Sequence, residues 1–130
     1  MVDRTLKEEA RLYFVPYILG NTRAAHKLAY RIYRKFGIIS VICDRRRSLC
    51  DLFDPTSRPV VLSSTDSPRL IAEQLVELTR QTQYTLPLII PVCEEYERMA
   101  QSERATLEHS FVICDAQTLF ERSPLADIPR

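Results

Sequence analysis

A glycine turn carries the most chemically suggestive residues of this sequence. Gly20, Asn21, Thr22 and Arg23 follow the apolar segment YFVPYIL and precede a helical pattern. Backbone N–H groups at the start of a helix are free to bind an anion, and an arginine adds a bidentate contact to phosphate or carboxylate. The sequence therefore predicts a ligand-binding turn. The alternative is a plain tight turn in which Asn21 or Thr22 caps the helix.

The turn departs from the fingerprint of dinucleotide-binding proteins. Gly20 and Ala25 match its first and sixth positions, but Thr22 stands where a second glycine would let the backbone approach the pyrophosphate. Asp44 follows about twenty residues on, where an acid would bind a ribose hydroxyl. A small-ligand or nucleotide-binding module of the Rossmann type therefore stays open as an alternative function.

Two further polar groups follow apolar segments. Glu94 and Glu95 come after LPLIIPVC, where a carboxylate could hold a substrate amine or hydroxyl; the alternative is that both serve the positive end of a helix dipole. Asp44 could accept a hydrogen bond from a hydroxyl, and the arginines at 45–47 could bind phosphate. A solvated charged face is the alternative for that run.

The remaining reactive residue types form no recognisable catalytic or metal site. His26 and His109 are predicted as solvated surface residues, with His26 on the polar face of the first helix. The cysteines lack C-x-x-C or zinc spacing and are predicted as free, buried thiols: Cys43, Cys50, Cys93 and Cys114. P-loop, G-x-S-x-G and H-E-x-x-H motifs are absent from the sequence. We therefore predict no catalytic residue and no metal ligand in this chain.

Composition excludes several classes of function. The 130 residues suit one domain, and a net charge of +1, with 27% charged residues, favours neither nucleic acid nor an anionic membrane as a partner. The longest apolar runs have the length of strands, so no membrane span is predicted. The opening MVDRTLKEEA lacks the apolar stretch of a secretory signal. We therefore expect a cytoplasmic protein.

Hydrophobic spacing predicts an α/β fold. Near-continuous apolar runs are typical of buried parallel strands, and apolar residues three or four apart indicate helices. Strands are predicted at 14–19, 38–43, 60–63, 86–92 and 111–114, and helices at 22–36, after Ser67, from Glu94 and at 116–120. A charged loop at 44–59, with an apolar insert at Leu49, Leu52 and Phe53, separates the second and third strands.

This alternation predicts a Rossmann-like, open, mainly parallel five-stranded sheet, with helices on both faces and strand order 3-2-1-4-5. The switch point lies between strands one and four, so the loops at 20–23 and 93–96 should face each other. We predict a lead-in at 1–12, one domain at 13–122 and a tail or linker at 123–130.

The order of segments resembles a known family over residues 13–127. The opening of ATP-grasp carboxylate–amine ligases of the D-aspartate ligase type is similar to VPYILGNTRAAHKLAYRIYRKFGIISVICD. Their fourth strand and next helix start are similar to LIIPVCEEYERMA, and the segment before their next domain resembles FVICDAQTLFERSPLAD. Asn21 and Thr22 depart from the family, which has glycine and an acid there.

The resemblance implies a Rossmann-like pre-ATP-grasp domain. Gly20, Asn21 and Thr22 would line the substrate side of a cleft, with Glu94 and Glu95 nearby. The partner would be an ATP-grasp domain, in cis or in trans, that binds ATP and Mg²⁺ and forms an acyl phosphate on a small carboxylate or amino-acid substrate. No cofactor is implied for this chain, which is expected to be inactive alone. An apolar docking surface, and a homo-oligomer formed through it, are further expectations.

Overall fold

A five-stranded parallel sheet forms the centre of the chain in a computed structural model that describes residues 14–64, 66–80 and 86–121. Its strands are β1 (Phe14–Leu19), β2 (Ser40–Asp44), β3 (Ser57–Val61), β4 (Leu86–Pro91) and β5 (Val112–Ile113). The observed order, β3-β2-β1-β4-β5, confirms the predicted topology. The predicted lead-in at 1–12 and tail at 123–130 lie outside the described residues.

The apolar β1 is the central strand. It pairs with β4 along its whole length, from Phe14 opposite Leu86 onwards, but with β2 only from Tyr17 onwards. Pro16 therefore lies just before the first residue of β1 that pairs with β2. This position explains how a residue without a backbone N–H fits into a central strand.

Helices cover both faces of the sheet. They are α1 (Arg23–Phe36), α2 (Pro68–Thr79), α3 (Glu94–Ser102), α4 (Arg104–Leu107) and α5 (Ala116–Glu121). One apolar core lies between the sheet and α2, α3 and α4, and includes Leu75 and Tyr96. The other lies between the sheet, α1 and α5, and includes Ile32 and Leu119.

Local signals explain the ends of α1 and the start of α2. The Thr22 hydroxyl accepts a 3.1 Å hydrogen bond from the backbone N–H of Ala25. Gly37 ends α1 in the left-handed conformation, with φ 72°. Ser67 caps α2, and Pro68 follows at its first position, where a missing N–H costs nothing.

Four strands differ from the predicted bounds. β2 and β5 begin later than predicted, and β4 ends one residue earlier. β3 spans Ser57–Val61 and not 60–63, because its backbone follows β2 in register from Ser57 opposite Ser40. Since β3 is an edge strand whose side chains are mostly exposed, its first half carries no apolar signal. A 3-10 helix at Leu49–Leu52 and the short α4 are further elements that the apolar spacing did not predict.

Candidate functional site

Gly20 brings the end of β1 against the end of β4. Its φ of 115° is disfavoured for other residues, and a Cβ there would lie 3.1 Å from Val92 Cγ2 and 3.3 Å from Cys93 Sγ. The backbone N–H of Gly20 also donates to the carbonyl of Cys43, at 2.9 Å. A residue without a side chain is therefore required both for the backbone conformation and for the close approach.

The Asp44 carboxylate fixes this turn from the end of β2. Its Oδ2 accepts a 2.7 Å hydrogen bond from the backbone N–H of Asn21. Its Oδ1 accepts from the Tyr96 hydroxyl at 2.8 Å and from the backbone N–H of Arg45 at 2.6 Å. The sequence analysis predicted that Asp44 could accept a hydrogen bond from a ligand hydroxyl. In the structure, three donors from within the chain already bind its carboxylate.

Tyr96 is the residue of this edge that sequence reasoning missed. Its spacing with Met99 and Ala100 identified it only as an apolar core position, and the residue is indeed 1% exposed. Burial, and then the hydrogen bond to Asp44, raise the pKa of its hydroxyl well above the usual value. Tyr96 therefore stays protonated and acts as a donor that holds Asp44.

The two predicted glutamates contact arginines. Glu94 pairs with Arg98 one turn along α3, and Glu95 pairs with Arg45, whose Nη1 also lies 2.6 Å from Asp66 Oδ1. Glu95 thus links α3 to the residue after β2. Among the described residues, neither glutamate is hydrogen-bonded to the glycine turn.

His26 corrects the prediction of a solvated surface residue. It is 9% exposed, and both of its ring nitrogens have partners. Nδ1 lies 2.6 Å from Asp54 Oδ2, and Nε2 lies 2.8 Å from Asn21 Oδ1 and 3.3 Å from Asp51 Oδ1. The polar face of α1 is buried here because the loop after β2 folds over it.

Asn21 and Asp54 complete this buried network. The Asn21 amide nitrogen lies 3.0 Å from both carboxylate oxygens of Asp51. Asp54 accepts hydrogen bonds from the Thr56 backbone N–H at 2.8 Å and from the Ser57 hydroxyl at 2.8 Å. Burial alone would raise the pKa of the Asp54 carboxyl, but the hydrogen bonds from Thr56, His26 and Ser57 hold it below its usual value.

The network supports an exposed apolar turn. Ser48 and Asp51 form a capping box around the 3-10 helix: the Ser48 hydroxyl accepts from the backbone, and Asp51 accepts from the Ser48 N–H at 3.0 Å. The apolar knuckle, defined as Leu49, Leu52 and Phe53, is 79%, 76% and 82% exposed. The predicted apolar insert is therefore held outside the core, at the same edge as the glycine turn.

Two thiols near this edge, those of Cys43 and Cys114, are weak nucleophiles. The four cysteines are free, as predicted, but only Cys43 is fully buried. Burial raises the pKa of the Cys43 thiol to about 12, and burial with the Asp115 charge raises that of Cys114 to about 11. The described residues include no group of three or more His, Cys, Asp or Glu side chains that could hold a metal ion.

A concave feature opens at the carboxyl ends of β4 and β5. This cavity has a volume of about 350 Å³ and is lined by Pro91, Glu97, Arg104 and Asp115, among other residues. Its size lies at the lower end of the range for small-molecule sites, roughly 300–1,000 Å³.

The arrangement as a whole is suited to binding and positioning. Its carboxylates, and the one imidazole at this edge, are engaged by partners from the chain itself, so no free pair of nucleophile and base is seen among the described residues. The exposed groups at this edge include the side chains of Arg23, Arg46 and Arg47, the glutamates of α3 and the apolar knuckle.

A scan against protein-family models finds no matching family, and a search of curated proteins finds no match. In the part of the chain that the structure describes, no helix is long and apolar enough to cross a membrane.

Proposed function

We propose that this chain is the N-terminal, substrate-side domain of an ATP-grasp carboxylate–amine ligase of the D-aspartate ligase type. The resemblance over residues 13–127 motivates the proposal, and the parallel sheet of order 3-2-1-4-5 is compatible with it. ATP and Mg²⁺ would be held by an ATP-grasp domain in cis or in trans. This chain would contribute no catalytic group.

The apolar knuckle is the observation that carries the proposal. Its three large apolar side chains lie at the carboxyl edge of the sheet, and each is more than three-quarters exposed to solvent. The capping box and the contacts of Asn21 with Asp51 hold their turn in one conformation. An ordered apolar turn at the ligand-binding edge of an α/β sheet is the surface that a docking domain would cover.

The predicted site residues have distinct parts in this proposal. Gly20, Asn21 and Thr22 would form the substrate-side wall of the cleft, and Arg23 would stand at its rim. Asp44 would position the wall through its hydrogen bond to the Asn21 backbone. Glu94 and Glu95, at the start of α3, would lie beside the cleft and attract the amine of a substrate. The cavity near β5 offers additional space at the same edge.

The first test is the intact mass of the native polypeptide from its source cells. A mass several times 15.1 kDa would support a ligase whose ATP-binding part lies elsewhere in the polypeptide. Purified native protein should then hydrolyse ATP only with an amine and a carboxylate substrate present. A native mass near 15.1 kDa, without a partner that supplies an ATP-grasp domain, would contradict the proposal.

The docking role is tested in the same native protein. Changing Leu49, Leu52 and Phe53 to serine should abolish ligation while the 130-residue region stays folded. The matched control changes the exposed Leu70 and Val112 to serine, away from the knuckle, and should leave ligation unchanged. Equal loss in both variants would contradict docking through the knuckle.

A stand-alone nucleotide-binding module is the second candidate, because Asp44 is hydrogen-bonded to the glycine turn. The three donors on that carboxylate leave it little capacity for a ribose. Calorimetry of the isolated chain with NAD, ATP and AMP separates the two proposals. Saturable binding of any of the three would favour the module, and no heat at millimolar concentrations would exclude it.

A further inference from the structure

The exposed side of α1 carries a row of cations without acidic partners. Its sequence, RAAHKLAYRIYRKF, contains five Lys or Arg residues and no Asp or Glu. Arg23, Lys27, Tyr30 and Arg34 are exposed and recur at i, i+4, i+7 and i+11, so they lie along one line on the helix surface. We call this line the α1 crest; a rise of about 1.5 Å per residue makes it roughly 17 Å long.

The remaining cations of α1 are already engaged at its flank. The Arg31 guanidinium lies over the Phe120 ring, 4.2 Å from its centroid. The Lys35 ammonium donates to the Phe120 carbonyl at 3.0 Å. Within the described residues, the three cations of the crest form no ion pair. Tyr30, which lies between Lys27 and Arg34 on the same line, is 55% exposed.

Arginines on the other helices form ion pairs with glutamates. Arg69 and Arg98 each pair with a glutamate on the same helix, and Arg104 pairs at 2.5 Å with Glu108, the residue after α4. Such pairs support an exposed helix, whereas like charges four residues apart destabilise it. The crest therefore concentrates repulsive charge on one side of a chain whose net charge is only +1.

We propose that the α1 crest binds an acidic protein surface whose carboxylates lie at helical spacing. Arginine and tyrosine are the residue types that most often carry binding energy at protein interfaces. An acidic helix would present carboxylates about 6 Å apart along one ridge, which matches the spacing of Arg23 and Lys27. This inference does not depend on the proposed ligase function.

Other anionic partners fit the chain less well. A membrane-bound helix needs an apolar face for insertion, but Leu28, Ile32 and the rest of that face of α1 are buried in the core. A nucleic acid extends far beyond the crest, which offers it only three cations, and the chain as a whole has a net charge of only +1. A compact acidic surface avoids both difficulties.

The test uses the whole chain and a fluorescein-labelled, alanine-rich helical peptide about 20 residues long with glutamate at every fourth position, whose helix of about 30 Å spans the crest. Fluorescence anisotropy is measured at low salt. Changing Arg23, Lys27 and Arg34 to glutamine should weaken binding at least about tenfold. The control changes Arg69, Arg98 and Arg104 to glutamine, removes the same total charge, and should keep affinity within about twofold.

Two further variants keep the test decisive. The exchange R23K/K27R/R34K preserves charge and should keep the wild-type affinity, which separates loss of charge from loss of folding. Tyr30→Ala should weaken peptide binding without changing its salt dependence. Circular dichroism confirms that each variant is folded.

Three results would overturn the proposal. The first is that the peptide shows no saturable binding at low salt. The second is that the triple variant of the crest and the triple control variant lose equal affinity for the peptide. The third is that an oligouridylate of the same charge binds more tightly than the peptide, which would identify the crest as a nucleic-acid-binding surface. None of these results bears on ATP-dependent ligation.

Discussion

The Tyr96 hydroxyl donates a 2.8 Å hydrogen bond to the Asp44 carboxylate, joining the first turn of α3 to the end of β2. Asp44 also accepts from the Asn21 backbone, which lies after β1. One carboxylate thus ties together the three chain segments that meet at the carboxyl edge of the sheet. Its role is to fix the shape of this edge.

Replacing Tyr96 by phenylalanine should therefore destabilise the protein. The ring keeps its packing, but the carboxylate loses a donor, and hydrogen bonds to charged groups contribute about 1.5–3 kcal/mol. We expect the free energy of unfolding, measured by urea denaturation, to fall by about 1.5 kcal/mol. Tyr33→Phe changes an exposed hydroxyl and serves as the control. Equal stability of the two variants would show that the bond to Asp44 contributes nothing.

Gly20→Ala should be more costly than an ordinary substitution at a glycine with positive φ. The new Cβ would meet Val92 at 3.1 Å and Cys93 at 3.3 Å, in addition to the strain of a φ of 115°. We expect a loss of about 2 kcal/mol or more in the free energy of unfolding. Gly37→Asn is the comparison, because asparagine tolerates the left-handed conformation at the end of a helix. Similar losses at both positions would argue against the close approach.

The sequence was sufficient to predict the fold because its strongest signals are local. The unbroken apolar run of β1, the stripe of α1 and the left-handed Gly37 each follow from neighbouring residues. The strand order 3-2-1-4-5 then follows from the alternation of strands and helices. β3 was placed three residues late because its pairing with β2 depends on a partner strand distant in sequence, and its exposed side chains carry no periodic pattern.

The contacts at the candidate site depended on the tertiary structure. Spacing on a helix assigns His26 to the polar face, and only the loop folding over α1 buries it. The loop did contain a local signal: Ser48 and Asp51 have the spacing of a capping box, and Asp54 precedes Thr56 as in an Asx turn. Those motifs predict an ordered loop, but not which helix residue it covers.

His26→Ala should loosen the whole loop after β2. The substitution leaves the buried Asp54 carboxylate and the Asn21 amide oxygen without their shared partner. Leaving a buried polar group without its hydrogen-bond partner costs about 1–3 kcal/mol, and His26 serves two such groups, so we expect a loss of about 3 kcal/mol. Hydrogen exchange should become faster at 48–57, while the amides of β1 and β4 are less affected. His109→Ala, at an exposed position, is the control. Unchanged hydrogen exchange in the loop of the His26 variant would show that His26 does not hold the loop on α1.

The Asp54 carboxylate should make the folded protein less stable as the pH falls. Its folded-state pKa lies below the usual value for an aspartate, because hydrogen bonds from Thr56, His26 and Ser57 outweigh burial. The stabilisation is therefore fully present above the unfolded pKa of about 3.9 and is lost as pH falls through the lower folded value. Asp54→Asn removes this contribution, so the variant should lose less stability than the wild type between neutral pH and pH about 3. Urea denaturation at both pH values measures, for the wild type and for the variant, how far the free energy of unfolding falls. Glu73→Gln on the exposed side of α2 should keep the wild-type pH dependence, and an Asp54 variant that also keeps it would show that this carboxylate is not linked to folding.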